Sequence, residues 1–188
     1  MTLGTIKMGT AHPFVAEQLV VAVLSSRPGR LPEARRALEE RFGPVAFESD
    51  PVPWSFTTYY DREMGPGIAR LFWAFDRLVD PAELAGIKRM ANAIEGAFRE
   101  DGDRKLNLDP GLLSLSRFVL ATTKDGSHRI PLRDGIYAEV TLAFERGEYR
   151  PLPWTYPDYR SEGVRSVLKA IRDRYRERLR GGGPSTAA

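Results

Sequence analysis

Residues 68–83 hold the feature that most constrains the fold. "IARLFWAFDRLV", Ile68–Val79, is an aromatic-rich apolar run that reads as a strand, and Asp80-Pro81-Ala82-Glu83 follows at once. Asp80 supplies an N-cap oxygen, Pro81 takes the first helical position, and Glu83 completes a capping box. Leu84, Ile87, Ala91, Ile94 and Phe98 then recur with helical spacing, so this helix lays one stripe on a core and stops near Asp101-Gly102. A strand joined this abruptly to an amphipathic helix calls for a mixed α+β architecture.

The rest of the chain extends that pattern. "EQLVVAVLSS" reads as a buried strand, and "PEARRALEERFG" as a helix with Ala34, Leu38 and Phe42 on one face. Pro51 and Pro53 keep "VAFESDPVPWSFTTYY" extended. "KLNLDPG" is expected as a short strand entering a turn, and "SRFVLATTK" as a buried strand. "HRIPL" and "GIYAEVTLAFERG" are expected as further strands, the latter with Ile136, Ala138, Val140, Leu142 and Phe144 facing one way. A last helix from about Glu162 carries its stripe at Val164, Val167, Leu168, Ile171 and Tyr175. The order predicts a ferredoxin-like βαββαβ core, extended by a β-meander into one mainly antiparallel sheet. Helices are expected on one face, with a C-terminal amphipathic helix. Residues 1–12 read as a flexible N-terminus, 13–180 as one α+β domain and 181–188 as a disordered tail.

Composition narrows the chemistry. The chain has no cysteine, which excludes disulfides, thiolate nucleophiles and protein-ligated iron–sulfur clusters. The longest apolar stretch, Leu19–Leu24, is too short to span a bilayer, and the first residues lack a secretory pattern, so a cytoplasmic location is expected. The net charge of +3 is local: residues 160–180 carry eight basic against three acidic side chains, while the preceding residues carry 20 basic against 22 acidic. Such a run is usually a solvated helix face, with nucleic-acid binding as the alternative. Phosphate-loop, dinucleotide-loop, nucleophile-elbow and zinc-protease motifs are all missing. Two histidines cannot build a three-histidine metal site, although one histidine with carboxylates could hold a weaker metal, and the cofactor is not legible.

Four polar clusters remain at expected strand ends and loops. "TTYYDREMGPG" brings Tyr59, Tyr60, Asp61, Arg62 and Glu63 ahead of a sharp turn. In "KLNLDPG", Lys105, Asn107 and Asp109 alternate, which places an ammonium, an amide and a carboxylate on one strand face. Asp109-Pro110-Gly111 also reads as turn chemistry. "LATTKDGSHRIPL" sets Thr123, Lys124, His128 and Arg129 around Asp125-Gly126, a hairpin-turn dipeptide. The cations suit a phosphate or carboxylate, and His128 suits proton transfer near neutral pH. With only five lysines against 23 arginines, Lys124 stands out from generic surface charge. "PLPWTYPDYRSE" places Trp154, Tyr156 and Tyr159 around Asp158 and Arg160 on a stiff segment suited to a planar or sugar-like ligand.

Several of these phrases, "ERFGP", "TTYYDREMGPG", "LNLDPGLLSLSRFVLATTKDGSHRI", "GIYAEVTL" and "PLPWTYPDYRS", resemble an uncharacterised bacterial family, domain of unknown function 4416. The resemblance covers roughly residues 14–178 and implies a single-domain bacterial protein. It implies no activity, cofactor or catalytic residue.

The residues themselves point first to a small anionic or phosphorylated ligand, such as a nucleotide, held in a polar cleft. Lys105, Lys124 and Arg129 are expected to bind the anion, with Asn107 beside them. His128 with Asp109 is the candidate acid/base pair, and Tyr156, Asp158, Tyr159 and Arg160 would close over the ligand. Whether the protein is catalytic is left open by the sequence. The alternatives are a protein-interaction domain anchored by Trp154, and an RNA-binding module using the arginine-rich last helix. A membrane partner is not expected, and the oligomeric state is not legible.

Overall fold

The computed structural model describes residues 10–57 and 60–181. Residues 1–9 of the expected flexible N-terminus and 182–188 of the expected tail lie outside the described residues, as do Tyr59 and the side chains of Asp61 and Arg62. In chain order the elements are β1 (Glu17–Ser25), α1 (Leu31–Phe42), β2 (Val45–Glu48), β3 (Val52–Pro53), α2 (Asp61–Met64), β4 (Ala69–Val79) and α3 (Leu84–Ala97). The hairpin β5 (Arg99–Glu100) and β6 (Asp103–Arg104) leads to β7 (Leu106–Leu113) and β8 (Arg117–Thr122). Then come β9 (Ile130–Pro131), β10 (Tyr137–Glu145), β11 (Glu148–Pro151), α4 (Pro157–Arg160) and α5 (Glu162–Arg180).

The protein is mixed α+β, built on an antiparallel sheet in the order β11-β10-β8-β7-β1-β4-β2, with β3 on β4 and β9 on β10. The strand-to-helix junction forms, but the expected capping box does not close: the Glu83 carboxylate faces Arg77 Nη2, 3.6 Å away, and not the Asp80 amide. The Asp80 carboxylate accepts from the Ala82 amide at 2.8 Å, Pro81–Glu83 make one 3₁₀ turn, and α3 follows.

β1 is buried along its whole length because both sheet faces are covered. Leu19, Val21 and Val23 meet Ala34, Leu38 and Phe42 of α1 and Leu84, Ile87 and Ala91 of α3. Val20 and Ala22 share the opposite core with Val164, Leu168, Ile171 and Tyr175 of α5. The expectation of helices on one face is therefore corrected: α5 covers the second face. Among the described residues no helix is long and apolar enough to cross a membrane.

Two further expectations change. The apolar side chains of β10 do not all face one way. A register shift between Val140 and Leu142 turns the strand, so Ile136, Ala138 and Val140 join the α1/α3 core while Leu142 and Phe144 join the α5 core. One irregular position suffices, because a single-residue slip exchanges the faces. Asp125-Gly126 is also not a two-residue hairpin. β8 ends at Thr122 and pairs with β10, while β9 begins at Ile130 and pairs with the other edge of β10. Residues 123–129 thus cross over the end of β10 as a longer loop.

Candidate functional site

The site begins where two neighbouring strands part. β7 and β8 pair only at Gly111–Leu120, Leu112–Val119 and Leu113–Phe118. The expected Asp109-Pro110-Gly111 turn is instead strand: Pro110 sits opposite Val21 of β1 and continues the ladder on that side. Its missing N–H removes a donor only where β8 has already diverged, which is how a proline survives inside a strand. Beyond Gly111 a cleft of about 720 Å³ opens, bounded by β7, the end of β8, α3, the side chains of Trp54, Phe56, Thr57 and Tyr60, and the loop before α4.

α3 supplies what the departed strand does not. The Leu108 amide donates to Glu95 Oε2 at 3.0 Å, and the Leu108 carbonyl accepts from Lys88 Nζ at 2.9 Å. Two helix side chains thereby replace both hydrogen bonds of one residue on an opened strand edge. Leaving them unmade would cost about 1–3 kcal/mol per buried group. Lys88, only 6 % exposed, also donates to Asp109 Oδ1 at 3.0 Å, and the Asn107 amide donates to Asp109 Oδ2 at 2.6 Å. Arg104 closes the floor with a two-pronged ion pair to Glu63, at 2.6 and 2.7 Å, and longer bonds to Glu95 and Asn107, each 3.2 Å. Burial works to raise the Asp109 carboxyl, but Lys88 and Arg70 and the bonds from Lys88 and Asn107 overcome it and hold the group below its ordinary value. Asp109 is therefore a fixed anion. Burial and the Asp109 charge push the Tyr60 phenol up to about 12, so it stays protonated.

The depressed acidity of Asp109 makes an acid-titration prediction. Its contribution to stability is present above the reference value of 3.8 and is lost as pH falls through the lower folded-state value. Replacing Lys88 with Met leaves burial less opposed and brings the folded-state acidity back toward the reference value, so that acid loss should shrink, read as a shallower acid limb of a thermal-melting profile. Superimposable acid limbs would contradict the assignment.

Arg70 is the most unusual residue of the wall. It lies on β4 in register with Leu24 of β1 and Val52 of β3, and is 5 % exposed. Its Nη2 donates to Asp158 Oδ2 at 2.8 Å, while Nε and Nη1 have no acceptor among the described residues. The guanidinium lies 5.0 Å from the Trp54 ring centroid, and Trp54 makes edge contacts with Phe56 and Tyr60. Asp158 is 2 % exposed at the start of α4, and its carboxyl is pushed up by burial against the opposing pull of Arg70.

At the outer end, Glu139 holds the loop. Arg129 Nε donates to Glu139 Oε2 at 2.9 Å, Nη1 to the Lys124 and Asp125 carbonyls, and Nη2 to the Tyr156 hydroxyl at 3.1 Å. His128 stacks on Trp154 with centroids 5.2 Å apart, and its Nε2 lies 3.2 Å from the same Glu139 oxygen. Among the described residues no three His, Asp or Glu side chains gather as a metal site.

The structure thus brings Asn107, Asp109, Lys124, Arg129, Tyr156 and Asp158 together around one cleft. Four expected site residues are used elsewhere. Lys105 donates to the Glu63 carbonyl at 2.9 Å and pairs with Asp103. Tyr159 is buried between Phe72 and Phe118 in the α5 core. Arg160 ties the Leu152, Pro153 and Thr155 carbonyls of its own loop. His128 and Asp109 are not hydrogen-bonded to each other: His128 has Glu139, and Asp109 has Lys88 and Asn107. Sequence reasoning missed Arg70, Lys88, Glu95 and Glu139. For Arg70 and Glu139 a signal was present, since each is a charged residue next to apolar strand residues, and a buried one of this kind needs a partner.

The fold and the cleft define a class: an antiparallel-sheet α+β protein with a charged cleft between two diverging strands. Residues 15–175 match the family model for a domain of unknown function (DUF4416), and the chain belongs to that family. Comparison with curated proteins and with solved structures gave no match.

Proposed function

We propose that the cleft between β7 and β8 binds a small anionic ligand, phosphorylated or carboxylated. The observation that carries this reading is Arg70, a buried cation in the cleft wall with two guanidinium nitrogens lacking acceptors among the described residues. Buried donors of this kind are normally paired, and an oxyanion would complete them. Lys124 and Arg129 add positive charge at the outer end of the cleft, and its volume lies in the roughly 300–1,000 Å³ range of small-molecule sites.

The strand order β7-β1-β4-β2, with α1 and α3 against one core, supports a ferredoxin-like reading of the first part of the chain. The alternatives have less behind them. For RNA, Phe72, Trp73 and Phe75 are buried on the two faces, so they are not a stacking platform. Several α5 arginines fold back on the sheet: Arg165 onto the Tyr149 carbonyl, Arg172 onto the Leu115 carbonyl and the Phe144 ring, Arg178 onto the Asp76 carbonyl. For a protein partner, Trp154 is 39 % exposed but is fixed by the Val140 carbonyl and His128.

The test is calorimetric titration of the full chain with phosphate, pyrophosphate, phosphorylated metabolites and di- and tricarboxylates. Arg70→Lys keeps a cation for Asp158 but removes the planar donor fork. It should weaken binding roughly tenfold or more, the scale of a lost charge-assisted hydrogen bond. Absence of binding by any of these anions, or equal binding by Arg70→Lys, would remove the reading.

A further inference from the structure

α3 carries an oddity that packing does not explain. Lys88, Asn92 and Gly96 succeed one another at four-residue spacing, so they share one helix face, and all three line the cleft. Gly96 lies within α3, where glycine is a weak helix former. A Cβ built on Gly96 meets nothing within 4 Å, and its φ is not in the left-handed region. Neither crowding nor backbone conformation asks for glycine there. Beside it the Asn92 amide is half-buried and makes no hydrogen bond among the described residues. A bare patch of helix next to a free amide is what a flat group with hydrogen-bonding edges would use. Trp54, Phe56 and Tyr60, which also line the cleft, supply aromatic surface for the same group.

We propose that the ligand is a nucleotide. Its planar base lies against the Gly96 surface of α3 with its edge read by Asn92, and its anionic group is bound by Arg70. Asn92 and Gly96 are then specificity-determining residues, acting through a hydrogen bond and through the absence of a side chain. This inference rests on the anion-binding reading of the cleft and adds the ring.

The experiment titrates the full chain with AMP, GMP, CMP and UMP, and with ribose 5-phosphate as the ringless probe. At least one mononucleotide should bind roughly tenfold or more tightly than ribose 5-phosphate. Asn92→Ala should erase most of that preference. Gly96→Leu, which fills open space with a better helix former, should melt at or above the wild-type temperature yet lose mononucleotide binding by roughly tenfold, as crowding of a close contact does. Stability and binding moving in opposite directions would separate a ligand surface from a structural one. If ribose 5-phosphate binds as well as all four mononucleotides and Gly96→Leu has no effect, while Arg70→Lys still weakens binding, the base site is refuted and the anion site stands. If none of the five compounds binds, the base site and the phosphate form of the anion site fall together.

Discussion

Asp158→Ala is expected to cost about 3–5 kcal/mol of folding stability, the range for stripping a buried ion of its partner. Among the described residues Asp158 is the one acceptor for the Arg70 guanidinium, at 2.8 Å, and both side chains are almost fully shielded from water. Removing the carboxylate leaves a buried cation with no acceptor. Asp109 is a poor substitute, because its two oxygens already accept from Lys88 and Asn107. For a chain of this length each kcal/mol moves the melting temperature by about 2–4 °C, so a drop on the order of 10 °C should be visible by calorimetry or circular dichroism. The double variant Arg70→Met/Asp158→Leu should recover most of the loss, since an apolar pair avoids the desolvation that the ion pair suffers. If the single variant melts within about 2 °C of wild type, the charge pair is not what holds α4 to the sheet. The same variant bears on the ligand: with its own counter-ion gone, Arg70 should gain more thermal stabilisation from added phosphate than the wild type does.

Much of the secondary structure was legible because its signals are local. The stripes of α1, α3 and α5 and the Asp80 cap ahead of α3 are written in residues that touch one another within a turn or two, and the apolar positions named for each helix do reach a core. The places that were misread depend on distant partners. Pro110-Gly111 has the composition of a turn, and it stays in a strand because β1 pairs with it along one side while β8 leaves the other. The face change in β10 arises from its register with β8, which the alternation inside β10 does not encode. The candidate site divides the same way. Clusters chosen for their polar chemistry did converge through Asn107, Asp109, Lys124, Arg129, Tyr156 and Asp158. The residues that organise them were hidden in apolar context: Arg70 inside "ARLFWAF", Lys88 beside the α3 stripe and Glu139 inside "YAEVTLAF". His128 is the converse case. A lone histidine next to cations invites a catalytic role, yet here its ring covers Trp154 and faces the carboxylate that also anchors Arg129.

Gly111→Ala should be the second most damaging substitution, for a reason separate from charge. A Cβ at this position would lie 2.6 Å from the Val119 carbonyl oxygen and 2.7 Å from Cζ of Phe118. The φ of Gly111 is not in the left-handed region, so the requirement is close approach of two strands and not backbone freedom. The Phe118 ring is fully buried and Val119 O is backbone, so neither can yield cheaply. Overpacking of this kind costs about 1–3 kcal/mol, read as a lower urea midpoint. The double variant Gly111→Ala/Phe118→Leu should recover little, because the clash with the Val119 carbonyl persists. Gly111–Leu120 is also the last pair before the cleft. Pushing β8 away there widens the cleft at its base, so anion binding should weaken along with stability. A Gly111→Ala protein that unfolds at the wild-type midpoint would mean that β7 and β8 approach less closely than the geometry states, and the account of how the cleft opens would fall with it.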